Sequence, residues 1–198
     1  MKFEDIKKEI KNLEKIAEGW RGEIFKGEYK GKVLAFKLPS EPIHIHSILK
    51  EGEILKKVNK AGIGGKLILQ GKDFIAYEFI EGKELKKVLN KENARKIFKQ
   101  LLEQARKLDE LFITKEEMHK PHSNVLVDKN LNVYMIDFER AKMSKNPKNV
   151  TQLIQYFLTQ GSQYLPDLDK EKIIETMKKY KKSQTQKNFE ELKKLLRL

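Results

Sequence analysis

The stretch HKPHSNVLVDKNLNVYMIDFERA, residues 119 to 141, decides the fold. Asn124 opens an apolar strand, VLVD, the turn KNLN follows, and a second strand, VYMI, ends on Asp137 and Phe138. The pattern predicts a hairpin with an oxygen donor at each end, the amide of Asn124 and the carboxylate of Asp137, 13 residues apart. Such donors suit a hard divalent cation such as Mg2+. Five residues before Asn124 stands His119, a candidate proton acceptor.

Composition bounds the rest. A chain of 198 residues suffices for one compact domain or two small lobes with a modest core each. No stretch approaches the roughly 20 apolar residues of a membrane span. The opening MKFEDIKKEI has charges where a signal peptide needs an apolar run. The expectation is a soluble, cytoplasmic protein with no membrane partner. Cysteine is absent, which excludes disulfides and thiolate metal sites and leaves oxygen or imidazole as ligands. Lys and Arg number 42 against 29 Asp and Glu, a net charge of +13. Such an excess attracts polyanions, RNA or an acidic protein among them. Its scatter along the chain equally suits the Lys/Glu-rich surface of a thermophile protein.

Along the chain, residues 13 to 38 alternate apolar and polar with several glycines, predicting short antiparallel strands. SILKEGEILKKV reads as a helix, and KLILQ and DFIAYEF as two further strands. These give a small β-rich lobe over 1–80, followed by a mainly helical lobe over 81–198. Within the second lobe, Ala94, Ile97, Phe98, Leu101, Leu102, Ala105 and Leu108 mark one buried helical face, with Phe112 and Ile113 at the end of that helix. Asn146-Pro147 offers a cap and first-turn proline for a helix carrying Val150, Leu153, Ile154, Phe157 and Leu158. Asp169 caps a helix ending in MKKYKK, and FEELKKLLRL presents Phe189, Leu192, Leu195 and Leu196 on one side.

Three features of the first lobe carry chemistry. Gly19, Gly22 and Gly27 lie among strand formers, as in a turn able to close over phosphates, although any hairpin uses glycine. Lys37 ends the apolar strand VLAFK. In the next helix Ile48, Glu51, Leu55 and Val58 share a face, so Glu51 needs a buried partner, and Lys37 is the natural one. Glu53 is the competing carboxylate. A strand leaving through Glu78, Phe79 and Ile80 into Gly82 follows.

Taken in order, these motifs over about residues 13 to 160 resemble the protein-kinase-like superfamily. The resemblance implies an α+β bilobal fold, with a small antiparallel sheet and one helix ahead of a reduced, mainly helical C-terminal lobe. It places Ala17, Gly19 and Gly22 at the G-x-G-x-x-G positions and Lys37 and Glu51 as the paired lysine and glutamate. It implies that Ala35 and Leu126 sandwich adenine, that Tyr77 is the gatekeeper, and that the C=O of Glu78 and N–H of Ile80 read the adenine edge. Asn124 and Asp137 would hold Mg2+ or Mn2+ beside ATP. Three departures stand out. Glu117, Met118 and His119 occupy the H-R-D positions, Asp137-Phe138-Glu139 replaces D-F-G, and the segment before Pro147 has no A-P-E. This economy resembles the small RIO-type archaeal and bacterial kinases. The function implied is an ATP- and Mg2+-dependent phosphotransferase of minimal serine/threonine kinase type acting on a protein. Lys37, Glu51, His119, Asn124 and Asp137 form its catalytic set, with His122, Glu116 and Glu117 as alternative bases. A nucleotide-binding pseudokinase acting on RNA or a protein, and a small-molecule kinase, are the alternatives.

Overall fold

A computed structural model describes residues 1–198. The architecture is α+β with antiparallel sheets. The chain divides into two compact units, Met1–Glu81 with Ile136–Ala141, and Gly82–Met135 with Lys142–Leu198. The hairpin segment after Met135 therefore groups with the first unit, on the other side of the division expected at residue 80.

In the first unit, β1 (Lys11–Glu18), β2 (Gly22–Tyr29) and β3 (Lys32–Pro39) form a meander. Helix α1 (Ile45–Val58) then leads to β4 (Leu67–Gln70) and β5 (Ile75–Glu78), and the strand order is β1-β2-β3-β5-β4. Strand alternation sorts β3 onto two faces. Leu34 and Phe36 enter a core with Phe3, Ile6, Ile10, Tyr29, Phe74 and Ala76. Ala35 and Lys37 point the other way. Phe3 comes from a short 3-10 turn at the N-terminus, Phe3–Asp5, and Ile6 and Ile10 flank a second, Lys7–Glu9, which the strand and helix periodicities did not reveal. Phe3 packs edge-on against Phe36 and Phe74, with ring centroids 5.8 Å and 5.6 Å away.

The second unit has a three-stranded sheet of β6 (Gly82–Glu84), β8 (Val125–Asp128) and β9 (Val133–Met135), in the order β6-β8-β9. The one-turn α2 (Leu85–Val88) and the long α3 (Ala94–Glu110) follow β6. Phe112 leaves α3 at φ +55 and is exposed, whereas Ile113 is buried in β7 (Ile113–Thr114), paired with β10 (Lys142–Met143). Both residues were expected in the helix. Helices α4 (Asn149–Leu158), α5 (Lys170–Lys182) and α6 (Gln186–Leu195) complete the unit. Asp169 caps α5 as predicted, its side chain accepting from the Lys172 N–H.

Helix α4 is capped differently from the expectation. It starts two residues after Pro147, and its first N–H groups are held by a distant carboxylate, Asp109 of α3. Asp109 accepts from the N–H and Nδ2 of Asn149 at 3.0 Å and 2.8 Å, the Val150 N–H at 3.3 Å, and the Tyr180 hydroxyl at 2.9 Å. The Asn149 side chain also donates to the Ile113 carbonyl and accepts from the Lys115 N–H. A negative charge here complements the positive end of α4 and satisfies donors that burial would otherwise orphan. Burial pushes the Asp109 carboxyl above its ordinary value, and the Asn149, Tyr180 and Val150 hydrogen bonds pull against that rise. Asp109→Ala strips three residues of their acceptor, with an expected loss of about 2–4 kcal/mol. The check is urea denaturation, in which the midpoint falls at constant m-value.

Candidate functional site

The turn between β1 and β2 is set by glycine where space demands it. The Gly19 N–H donates to the Gly22 carbonyl at 2.8 Å. A Cβ on Gly22 would lie 2.9 Å from the Leu38 carbonyl oxygen, 3.2 Å from Ile48 Cδ1 and 3.4 Å from Lys37 Cε. Only glycine lets the turn approach Lys37 so closely. Ala17 is exposed on β1, opposite Ile24 across a register shift. Gly27 has a structural task, since a Cβ there would meet Ile10 Cγ2.

Lys37 and Glu51 are both buried and paired, Nζ to Oε2 at 2.6 Å. Ile48, Leu55 and Val58 share the buried face of α1 as the spacing predicts, and Glu53 instead is exposed and pairs with Lys56. The second oxygen of Glu51 accepts the Phe138 N–H at 3.0 Å. That bond brings the Asp137 segment alongside the lysine. Lys37 Nζ lies 3.3 Å from Asp137 Oδ1 and 3.5 Å from Glu139 Oε2. Asp137 holds φ at +59, an uncommon conformation for a residue with a side chain, and keeps that side chain half exposed. Glu139 also pairs with Arg21, Oε1 to Nη1 at 2.8 Å.

Burial alone would lower the Lys37 ammonium, but the Glu51 and Asp137 carboxylates more than reverse it, so the lysine is raised and stays charged. Burial pushes the Glu51 carboxyl up, opposed by Lys37 and the Phe138 N–H. One carboxylate oxygen each from Glu51, Asp137 and Glu139 lies within 4.8 Å of the others, close enough to share a cation.

On the same sheet, Ala35 is buried and lies opposite Tyr77 on β5. Tyr77 is wedged against the backbone of Gly65, where a Cβ would fall 2.8 Å from the Tyr77 ring. Burial pushes its hydroxyl up. The Glu78 N–H goes to the Lys66 carbonyl, and the Phe79 N–H to that of Val33. Ile80 follows, partly buried, at the exit from the sheet.

In the second unit, Asn124 immediately precedes β8, and Leu126 sits within β8 opposite Glu84 and Tyr134. The side chain that meets Asn124 is Glu117, whose Oε2 accepts from Nδ2 at 3.3 Å. Glu117 is exposed and adopts φ +66. His119 is partly buried two residues on, and His122 is engaged with Gln160 at 2.7 Å and packed edge-on to Tyr156. The loop thus presents a carboxylate to Asn124 from seven residues upstream. The Arg21–Glu139 pair went unread in the sequence, where its signals were an arginine between the turn glycines and a glutamate two residues after Asp137.

No family model matches the chain. Uncharacterized protein MJ1211 of Methanocaldococcus jannaschii is 34% identical over 87 residues, 42% of this chain and 73% of that protein. The chain belongs to the family of that archaeal protein, whose name states no activity.

Glu51→Ala leaves Lys37 charged and short of its closest partner, and the expected loss is about 3–5 kcal/mol. Replacing both members, Lys37→Met with Glu51→Leu, is expected to restore at least half of it. Thermal and urea unfolding of the single and double variants measures the coupling.

Proposed function

We propose that this chain is an ATP- and Mg2+-dependent phosphotransferase of protein-kinase-like, bilobal type. The observation that carries the reading is the junction at Glu51. One carboxylate binds the strand lysine through one oxygen and the backbone of the Asp-Phe segment through the other. A buried ion pair adds little stability over an apolar pair, so its retention fits a lysine that must be held rigid and charged for phosphate oxygens. In this reading Lys37 contacts the phosphates, Asp137 and Asn124 are metal ligands, and Ala35, Tyr77, Glu78, Ile80 and Leu126 receive the adenine.

For the proton acceptor, the hydrogen bond to Asn124 favours Glu117 over His119. A carboxylate beside a metal-ligating amide takes the role of the absent aspartate. General bases contribute roughly 10²- to 10⁴-fold, so positioning and charge neutralisation do most of the work. Asp137→Ala is expected to abolish metal-dependent transfer from labelled ATP, and wild-type transfer by that variant would overturn the assignment. Glu117→Gln is expected to lower kcat by about 10²- to 10⁴-fold at unchanged nucleotide affinity. His119→Ala is expected to retain most of the rate. Single-turnover assays with and without Mg2+ or Mn2+ separate the two variants.

The second reading, a nucleotide-binding switch, draws on Lys37 being engaged by three carboxylates. It predicts thermal stabilisation by nucleotide without turnover. The basic composition fits RNA or an acidic protein as partner, and a protein is the phosphoacceptor favoured here over a small molecule. No helix is long and apolar enough to cross a membrane. Labelled ATP incubated with the protein and a cell extract, followed by separation of protein, RNA and small molecules, assigns the acceptor.

A further inference from the structure

Two members of the charge cluster have no task in that reading. Arg21 lies in the turn between β1 and β2, and Glu139 stands two residues after Asp137. Glu139 bridges two cations, with Oε1 2.8 Å from Arg21 Nη1 and Oε2 3.5 Å from Lys37 Nζ. The pair is not needed to shape the turn. The Ser40 N–H binds the Arg21 carbonyl at 3.1 Å, the Ser40 hydroxyl binds the Trp20 carbonyl at 2.9 Å, and Gly19 is closed onto Gly22. With the backbone held by these bonds, the guanidinium is free to exchange its partner.

We infer that Arg21 is a phosphate-binding residue for a nucleoside triphosphate, and that Glu139 occupies its fork until the polyphosphate displaces it. The inference rests on the nucleotide reading above. A planar guanidinium matches phosphate oxygens as well as it matches a carboxylate. Lys37 and Arg21 face three carboxylates, Glu51, Asp137 and Glu139, and these are held unequally. Glu51 is anchored at 2.6 Å and by the Phe138 N–H, whereas Glu139 touches Lys37 only at 3.5 Å. Glu139 is therefore a carboxylate that an incoming polyanion can replace, freeing the Arg21 fork and one contact of Lys37, which keeps Glu51 and Asp137.

Trp20 makes the exchange visible. It is the sole tryptophan, is 76% exposed, and has the Arg21 guanidinium carbon 5.1 Å from its ring. The test measures affinity for ATP and AMP in EDTA by equilibrium dialysis, with Trp20 emission followed in parallel. Excluding metal removes any effect of Glu139 as a cation ligand. Glu139→Gln is expected to bind ATP about tenfold more tightly than wild type, and Arg21→Gln about tenfold more weakly. AMP affinity is expected to change less than about threefold in either, while ATP perturbs Trp20 emission. In Arg21→Gln with Glu139→Gln, the gain from Glu139→Gln is expected to shrink, because the released cation is gone. Glu18→Gln makes the same charge change at an exposed site in the adjoining strand end and is expected to leave ATP affinity within about threefold. If ATP binds the wild type and Glu139→Gln does not tighten it, or tightens AMP equally, the inference is wrong and nucleotide binding stands. If neither wild type nor Glu139→Gln binds ATP in EDTA, the inference is overturned, and the nucleotide reading falls with it only if the wild type also fails to bind ATP with Mg2+ restored.

Discussion

The buried pair of Lys37 and Glu51 is the constraint on which the first unit is built. Either charge alone in that environment would cost several kcal/mol, so the two must meet, and the chain must bring a strand and a helix together at one spot. Alternation along β3 sends Lys37 to the face opposite Leu34 and Phe36, and the helical stripe of α1 carries Glu51 with Ile48, Leu55 and Val58. Two glycines permit the approach. Gly22 leaves room beside Lys37, and Gly52 lets α1 settle where a Cβ would lie 2.7 Å from Gln70 and 2.9 Å from Ile75. The apolar groups supply the burial, and the ion pair sets where along the sheet the helix sits.

The same carboxylate also recruits a distant piece of chain. By covalent continuity Ile136–Ala141 extends the β8–β9 hairpin, yet it groups with the first unit, because Glu51 accepts the Phe138 N–H. Phe138 itself is buried. Such anchoring is what sustains Asp137 at φ +59, a conformation that costs on the order of 1–3 kcal/mol for a residue with a Cβ. The strain aims a half-exposed carboxylate while its neighbours on either side are fixed. A glycine in place of Glu139 would make this segment freer to swing. The glutamate ties it to the turn at Arg21 and to Lys37 instead.

Much of this was legible because it follows from period and burial. The five strands of the first sheet, α1, α3 and the β8–β9 hairpin lie where alternation or a 3.6-residue stripe places them, α5 starts at its Asp169 cap, and the helical face together with the surrounding motifs favoured Glu51 over Glu53. What escaped depends on contacts distant in sequence. Phe3, Ile6 and Ile10 lie in or beside 3-10 turns too short to show a period, yet they pack into the core of the first sheet. The start of α4 was assigned to Asn146-Pro147 on local cap chemistry, but the donors there are taken by Asp109, 40 residues away from Asn149. In the loop before Asn124, counting back five residues pointed to His119. Positive φ at Glu117 turns the chain so that the residue seven back meets the amide. Spacing rules assume a loop of fixed length, and an altered loop moves the number.

Charge is where the whole chain and its centre disagree. The protein carries a net charge of +13, while the cluster at Lys37 sets three carboxylates against two cations. At long range the basic field draws polyanions in, subject to salt screening over about 10 Å. At contact distance a polyanion meets Asp137 and Glu139 first and is repelled unless something neutralises them. A divalent cation would do so, since hard oxygen ligands are what both carboxylates offer. On the nucleotide reading proposed above, the centre would favour an anion that brings its own cation over a bare one. A net positive charge alone does not make that distinction, which requires carboxylates at the site itself, where Glu51 anchors the Asp137 segment through the Phe138 N–H.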